Sequence, residues 1–306
     1  MPVDKNYLKG VFYILVSAFS FALMAMFIRL SGDVPFVQKT FFRNSIAMFI
    51  ALASLLYGIK KNGIDFYKVP KQNWLFLFLR ACAGTIGVFG NFYAVDHLIL
   101  SDASILNKMA PFYTVIFSWL LLGERIRLVP AIAICTAFSG ALLVAKPSFN
   151  FSETLPSLAG IAGGFGAGFA YACVRKLGTQ KCPGQIVILF FSTFTTLIVL
   201  PYMILHFRAM TAFQTFCLIM TGVTATIGQF TITAAYFHAP ASKISIFDFC
   251  QVIFSASLGY FVFGQKPDVL SFAGYVIIIS MAVMNFIYNN KTAASLKIKT
   301  PEQEQK

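Results

Sequence analysis

Charged side chains are scarce in this sequence: Asp, Glu, Lys and Arg together make up 11% of its 306 residues, while 58% are hydrophobic. The mean hydropathy is +0.75. A soluble domain of this length must cover its surface with polar residues, and this composition has too few of them. The sequence therefore excludes a soluble globular protein and predicts one embedded in a lipid bilayer.

Motifs of enzymes and metal sites are also lacking. The six cysteines show no CxxC spacing, so we interpret them as small packing residues. No HExxH motif occurs, the apolar segments hold no pair of aspartates, and the three histidines fall near segment ends, away from any serine at equal depth. We therefore predict a protein that is not an enzyme and that uses no cofactor and no metal.

Long apolar segments dominate instead. A membrane-spanning helix needs about 20 such residues. We number ten candidates as spans 1 to 10, covering residues 8–30, 36–59, 73–95, 101–122, 128–145, 156–174, 184–205, 212–235, 241–263 and 269–289. No cleavage site follows the first segment, so we expect it to remain as span 1 rather than act as a signal peptide. The predicted fold class is an all-α integral membrane protein with ten transmembrane helices.

Basic residues outnumber acidic residues by 24 to 11, and their placement predicts the topology. With a cytoplasmic amino terminus, sixteen Lys and Arg residues fall on the cytoplasmic side, five on the opposite side and three within spans. The positive-inside rule then places both termini in the cytoplasm. The net charge of +13 thus reflects membrane topology, and we expect no nucleic-acid partner.

The sequence contains an internal repeat. Residues 97–125 recur 141 positions later as residues 238–266, with five identical pairs among 29, and Asn107 and Asp248 occupy equivalent positions. The repeat predicts two five-helix units, residues 1–145 and 146–289, followed by a disordered cytoplasmic tail, residues 290–306. Because each unit has an odd number of spans, the second is predicted to be inverted relative to the first. Substrate sites of such proteins lie where the repeats meet.

Four charged residues lie inside the predicted spans, about seven positions from one end: Arg43, Arg80, Lys108 and Asp248. At 1.5 Å per residue, each lies about 10 Å inside the boundary. An ionised side chain there costs at least about 2.5 kcal/mol unless it is paired or hydrated, so these residues are candidates for a functional site. The alternative is that the long basic side chains reach back to the membrane surface. Matching depth makes Arg80 the expected ion partner of Asp248.

Polar residues at helical spacing flank the equivalent positions in spans 4 and 9. The candidate substrate contacts in these two spans are Ser104, Asn107, Lys108, Ser245, Asp248 and Gln251. The candidates elsewhere are Arg43, Arg80, Asn91, Tyr93 and Gln229. The alternative role of such side chains is to join helices by hydrogen bonds. Pro111 is expected to loosen span 4 and to free a backbone carbonyl.

Glycines recur at close spacing in two spans. They are Gly84, Gly87 and Gly90 in span 3, and Gly160, Gly164 and Gly168 in span 6. Glycine lets helix backbones approach closely, so we expect these two spans to make tight helix contacts. The alternative is that the thin contact surfaces let the helices rock against their neighbours.

Several of these stretches carry a family resemblance. They are FFRNSIA, LFLRACAGTIG and DASILNKMAPFYTVIFSWLLLGERI in the first half, and APASKISIFDF, LGYFVFGQKP and FAGYVIII in the second. Through them the chain resembles, over about residues 8–289, the ten-helix EamA-type branch of the drug/metabolite transporter superfamily. The resemblance implies two inverted five-helix repeats around a central cavity that opens alternately to either side. Gln265 departs from the acidic residue common at its position, so Glu124 and Gln265 are interpreted as structural residues at helix ends.

The resemblance also implies a function, because family members move amino acids, nucleotide-related compounds and other small metabolites. We predict a secondary transporter of small polar metabolites in a bacterial inner membrane, and favour an exporter of amino acids or related compounds. Three cations and one anion within the spans favour a zwitterionic or anionic solute. The alternatives are an importer or exchanger of nucleotide-related metabolites such as S-adenosyl compounds, a channel, and a membrane sensor. The expected partners are the solute and membrane lipids, with the protein a monomer or homodimer.

Overall fold

The computed structural model describes residues 4–62, 70–98, 100–147 and 154–299. These residues form ten helical segments that are long and apolar enough to cross a membrane. Over the same ranges there is no β-strand. The predicted class, an all-α membrane protein with ten spans, is confirmed.

Eight of the spans are single helices. Their bounds are Lys5–Leu30 (span 1), Phe36–Asn62 (span 2), Lys71–His97 (span 3), Leu128–Ala145 (span 5), Thr154–Thr179 (span 6), Gly184–Leu205 (span 7), Ala212–His238 (span 8) and Val269–Lys299 (span 10). Span 10 extends ten residues beyond its predicted end at residue 289. Residues 290–299 of the predicted disordered tail continue the helix, and residues 300–306 lie outside the described residues.

Spans 4 and 9 are interrupted. Span 4 consists of the helices Leu100–Asn107 and Ala110–Leu122. Span 9 consists of a short helix, Ala241–Ile244, a 3-10 helix, Ser245–Phe249, and a longer helix, Cys250–Phe263. The two interrupted spans are the two that carry the sequence repeat.

Local sequence determines several helix ends. Span 1 begins after Asp4, whose carboxylate accepts a backbone N–H of the first turn. Span 8 begins with a capping box, in which the side chains of Thr211 and Gln214 each bond to the other residue's backbone N–H. Spans 4 and 9 end at Gly123 and Gly264, an identical pair of the repeat, with φ of 66° and 64°. This left-handed conformation favours glycine, so both copies terminate in the same way.

The main contacts between spans join the two halves of the chain. Span 3 packs against span 6, span 1 against span 8, span 2 against span 7 and span 5 against span 10. Span 4 also contacts span 6, and span 9 contacts span 1. Spans 1 to 5 correspond to spans 6 to 10. When every span is replaced by its counterpart, the same six contacts result. The halves are therefore interleaved rather than side by side.

Glycine allows the closest of these contacts, as expected. A Cβ added at Gly90 would collide with the carbonyl oxygen of Ala159 and lie 2.8 Å from the backbone nitrogen of Gly163. A Cβ at Gly168 would lie 2.9 Å from the carbonyl oxygen of Ala110. Span 6 is thus held by backbone contact against both span 3 and span 4.

The outer surface of the bundle is apolar. Phe12 and Phe49 are each 63% exposed, Leu205 is 78% exposed and Phe261 is 80% exposed. Water would penalise such a surface, whereas lipid tails cover it without loss. The exposed apolar side chains therefore form the surface that meets the membrane.

Candidate substrate-binding cavity

The interruption of span 4 falls at Lys108 and Met109, and Pro111 is the second residue of the helix that follows. Proline has no backbone N–H, so it offers no donor to the carbonyl of Asn107 four residues earlier, and its ring clashes with that carbonyl. The backbone N–H of Met109 bonds instead to the carbonyl of Leu106, at 3.3 Å, in a tighter turn. The expected loosening of span 4 is confirmed, and it places Asn107 and Lys108 at the break.

The interruption of span 9 falls at the equivalent positions. The 3-10 helix Ser245–Phe249 contains Asp248, the counterpart of Asn107 in the repeat. No proline lies in this part of span 9, so the irregular turn arises without the cause present in span 4. Short 3-10 segments within a longer helix often mark functional positions. The two breaks thus place polar side chains and irregular backbone at corresponding positions of the two halves.

The two breaks contact each other through an ion pair. Lys108 Nζ lies 3.0 Å from Asp248 Oδ2, 3.3 Å from the Asp248 carbonyl oxygen and 2.5 Å from Gln251 Oε1. An ammonium group has three donors, and these three acceptors satisfy them. The side chains of Lys108 and Asp248 are only 10% and 15% exposed. A charged hydrogen-bond network therefore joins spans 4 and 9 inside the bundle.

Arg80 and Arg43 are buried, at 2% and 5% exposure. Neither side chain reaches the surface, so the alternative in which they reach back to the membrane boundary is wrong. Arg80 Nη2 donates to Gln229 Oε1 at 2.9 Å, and its guanidinium lies 3.8 Å from the centroid of the Phe191 ring. Arg80 Nε has no hydrogen-bond partner in the structure. Arg43 donates through Nη1 to the amide oxygen of Asn44 at 3.1 Å.

These polar side chains surround a cavity of about 110 Å³. Its walls come from spans 1 to 4 and spans 6 to 9, four from each half. Eight of the eleven predicted site residues line it: Arg43, Arg80, Asn91, Asn107, Lys108, Gln229, Asp248 and Gln251. The structure thus brings together polar residues from five spans at one place between the two halves.

Three predicted site residues do not line this cavity. Ser104 is exposed although it shares the helix Leu100–Asn107 with Asn107, so this helix presents the two residues differently. Ser245 is buried, and its hydroxyl lies 3.3 Å from that of Tyr236. Tyr93 lines a separate apolar crevice together with Tyr202.

The sequence interpretation also missed residues that line the cavity. Tyr171, in span 6, is the only tyrosine among them, and its ring stacks on that of Tyr236 at 5.5 Å. Its signal was weak but present: it is a polar aromatic residue within a helix rich in glycine and alanine. Phe191, under Arg80, carried no signal because the chain has 35 phenylalanines.

The expected pairing of Arg80 with Asp248 is corrected by the structure. Both residues line the cavity, but Asp248 pairs with Lys108, and Arg80 bonds to the neutral amide of Gln229. Equal depth placed the two residues at the same level of the membrane. It contained no information about the angular positions of their helices, which decided the partner.

A second ion pair lies at one end of span 9. Glu124, after span 4, accepts Arg175 Nε of span 6 at 2.6 Å and the backbone N–H of Ala241, the first residue of span 9, at 3.1 Å. At the other end of span 9, the side-chain amide of Gln265 lies against Arg29, 2.8 and 3.1 Å from its two terminal nitrogens, and the amide oxygen is assigned to this side because only an acceptor suits two donors. Glu124 and Gln265, which are equivalent in the repeat, therefore make contacts at opposite ends of span 9. Glu124 does so through an ion pair, and Gln265 does so through a neutral amide.

The comparisons with known proteins agree with this architecture. Residues 8–146 match the EamA-like transporter family. A solved structure, described only as a crystal structure of a protein, superposes with a TM-score of 0.79 at 16% identity, covering 94% of this chain and 99% of the other. At that identity the likeness concerns the fold alone.

Curated relatives include transporters from bacteria and mammals. The chain is 28% identical to the pseudopaline exporter CntI of Pseudomonas aeruginosa, over 89% of this chain and 93% of that protein. It is 26% identical to an uncharacterized transporter of Helicobacter pylori, over 90% and 94%. It is 31% identical to human solute carrier family 35 member G1 over 144 residues, which are 47% of this chain and 38% of that protein.

The family match, the relatives named as transporters and the ten membrane-length spans together indicate a multi-pass membrane transporter of small molecules rather than an enzyme. Residues 8–146 thus resemble the EamA-like transporter family, and about nine tenths of the chain resembles a protein named as an exporter.

Proposed function

We propose that this protein is a secondary carrier that exports amino acids or related small polar metabolites by alternating access. The observation that carries the proposal is the contact between the broken spans 4 and 9, where Lys108, Asp248 and Gln251 meet at the wall of the cavity. Carriers of this kind bind solute at interrupted helices where two repeats meet. The relative named as an exporter supports the outward direction.

Alternating access also needs two ends that open in turn. Two observations support an inverted pair of repeats. The contacts between spans stay the same when the two halves are exchanged, and Glu124 and Gln265 make equivalent contacts. In such a pair, the arrangement that closes one end is the counterpart of the arrangement that closes the other. The cavity supports the same conclusion by its size. At about 110 Å³ it is smaller than the roughly 150 Å³ that holds a benzene molecule, so a larger solute requires the helices to separate.

The proposed location is the bacterial inner membrane, with both termini in the cytoplasm. The support is the distribution of basic residues along the sequence, sixteen against five. A reporter cysteine at Ser295, in a background without the native cysteines, should stay unlabelled by an impermeant maleimide in intact cells. Labelling there would reverse the assigned orientation.

The test of function is uptake of labelled amino acids into proteoliposomes that contain the purified protein. A carrier gives saturable flux and is accelerated by unlabelled solute on the opposite side, whereas a channel gives neither. Asn107→Ala and Gln251→Ala should each lower the flux at least tenfold. Ser104→Ala is the matched control, since it changes an exposed residue three positions from Asn107 and should keep wild-type flux.

A protein without flux for any solute would favour a sensor over a carrier. Flux unaffected by Asn107→Ala and Gln251→Ala, with lowered melting temperatures in both, would assign these residues to helix packing instead.

A further inference from the structure

The charges that line the cavity do not balance. Arg43, Arg80 and Lys108 are cations, and Asp248 is the one acidic residue on the walls as described. Lys108 and Asp248 neutralise each other through their ion pair. Two guanidinium groups are left over, on two different spans.

The contacts of both guanidinium groups are neutral. Arg43 bonds to the amide of Asn44, and Arg80 bonds to the amide of Gln229 and lies over the ring of Phe191. Among the side chains that the structure describes, no carboxylate pairs with either arginine. An arginine stays protonated at neutral pH, so burial does not remove its charge.

Two uncompensated cations within a membrane are unfavourable unless an anion neutralises them. Arg80 also has a donor ready for such an anion, because Nε is buried and without a partner in a residue that lines the cavity. Guanidinium groups bind carboxylates and phosphates with paired hydrogen bonds. The amides of Asn44 and Gln229 hold each group from one side and leave further donors for a solute.

We infer that the transported solute is an anion with two negatively charged groups, carboxylate or phosphate, one neutralised by Arg43 and the other by Arg80. This inference rests on the proposed function and narrows it, since neutral and cationic amino acids are then poor substrates. The ion pair of Lys108 and Asp248 stays intact beneath the solute and contributes no net charge.

The test compares matched solutes in thermal melting and transport. L-Glutamate and L-glutamine differ by one carboxylate and little else. Succinate, with two carboxylates, and 3-phosphoglycerate, with one carboxylate and one phosphate, serve as solutes with two anionic groups and no amino group. We expect one or more of the dianions to raise the melting temperature and to be transported, with at least tenfold preference over L-glutamine. Which dianion acts distinguishes carboxylate from phosphate recognition.

Variants then assign the selectivity to the two arginines. Arg43→Gln and Arg80→Gln should each reduce the preference for the dianion at least tenfold, while the empty protein melts at the wild-type temperature or above it. Arg80→Lys keeps the charge and should restore part of the preference. Lys146→Gln removes a cation outside the cavity and is the control for selectivity: it should leave the preference for the dianion unchanged, although it also removes the ion pair with Asp268 and should lower the melting temperature.

Saturable transport of neutral or cationic amino acids in preference to every dianion would overturn the inference and leave the carrier function standing. The absence of binding and flux for every solute in the panel would overturn both. Loss of melting temperature in Arg43→Gln and Arg80→Gln with unchanged selectivity would make the arginines structural and would equally refute the inference.

Discussion

Lys108 and Asp248, 140 residues apart in sequence, form an ion pair at 3.0 Å where the two interrupted spans meet. Lys108 lies at the break of span 4, and Asp248 lies in the 3-10 segment of span 9. Each half of the chain thus supplies one charge to a contact that neither half forms alone. The pair therefore joins the two halves at the cavity.

The first prediction concerns that pair. Lys108→Gln and Asp248→Asn each leave one buried charge without its partner, which costs about 3 kcal/mol or more in comparable pairs. Each should lower both the melting temperature and the transport rate. The double variant leaves no unpaired charge, so it should be more stable than the sum of the single effects implies. Strictly additive losses in a double-mutant cycle would show that the two residues do not act together.

The second prediction concerns Gly84, one turn beyond Arg80 on span 3. A Cβ at this position would collide with Arg80 Nη1 and lie 2.8 Å from the Phe191 ring. Gly84→Ala should therefore displace the guanidinium and lower transport at least tenfold. Gly184→Ala is the control, because the Cβ added there meets nothing nearer than 3.4 Å. Equal transport by both variants would place Arg80 outside the solute path.

The third prediction concerns the two ends of the bundle. Glu124→Gln removes a charge from the contacts to Arg175 and to the start of span 9, and should make that end open more readily. Gln265→Glu introduces charge opposite Arg29 and should hold the other end closed more firmly. A cysteine at Val88, on the cavity wall, reports opening by its labelling rate from each side of the membrane. Identical labelling in both variants and the parent would refute a gating role for these contacts.

The fourth prediction concerns pH and lies outside the spans. The ammonium of Lys146 holds the pKa of the Asp268 carboxyl well below its usual range, helped by hydrogen bonds from the backbone N–H and the hydroxyl of Ser271. A depressed pKa stabilises the fold above the unfolded value of about 3.9, and this stability is lost as the pH falls below it. Asp268→Asn should therefore melt lower than the parent at pH 7, with the difference shrinking below pH 4. A constant difference would exclude the charge as its cause.

The sequence predicted the ten spans and most of the cavity residues, because both follow from one-dimensional patterns. Membrane length is set by the number of apolar residues, and charges such as Arg43 and Arg80 within a span must face protein or water. Eight of eleven candidate site residues line the cavity for this reason.

What the sequence did not predict depends on rotation about helix axes and on contacts between distant residues. The partner of Asp248 was wrong because depth alone does not say which helix faces which. Ser104 was misplaced because sequence spacing does not fix how the helix Leu100–Asn107 is rotated about its axis. The 3-10 segment of span 9 was not predicted, since no proline marks it and its backbone conformation has no signature in the sequence. Tyr171 had only a weak signal in the sequence, and Phe191 became identifiable only when span 7 was placed around the cavity.

The central claim, that the cavity between the broken spans is the transport site, is tested most directly by solute protection of a cavity residue. Val88→Cys, nearly equal in size to the residue it replaces, should react with a small methanethiosulfonate reagent in an otherwise cysteine-free protein. The transported solute should protect it, with half-protection at the concentration that half-saturates transport. Saturable transport with no protection at Val88→Cys would contradict the account and place the solute elsewhere in the bundle.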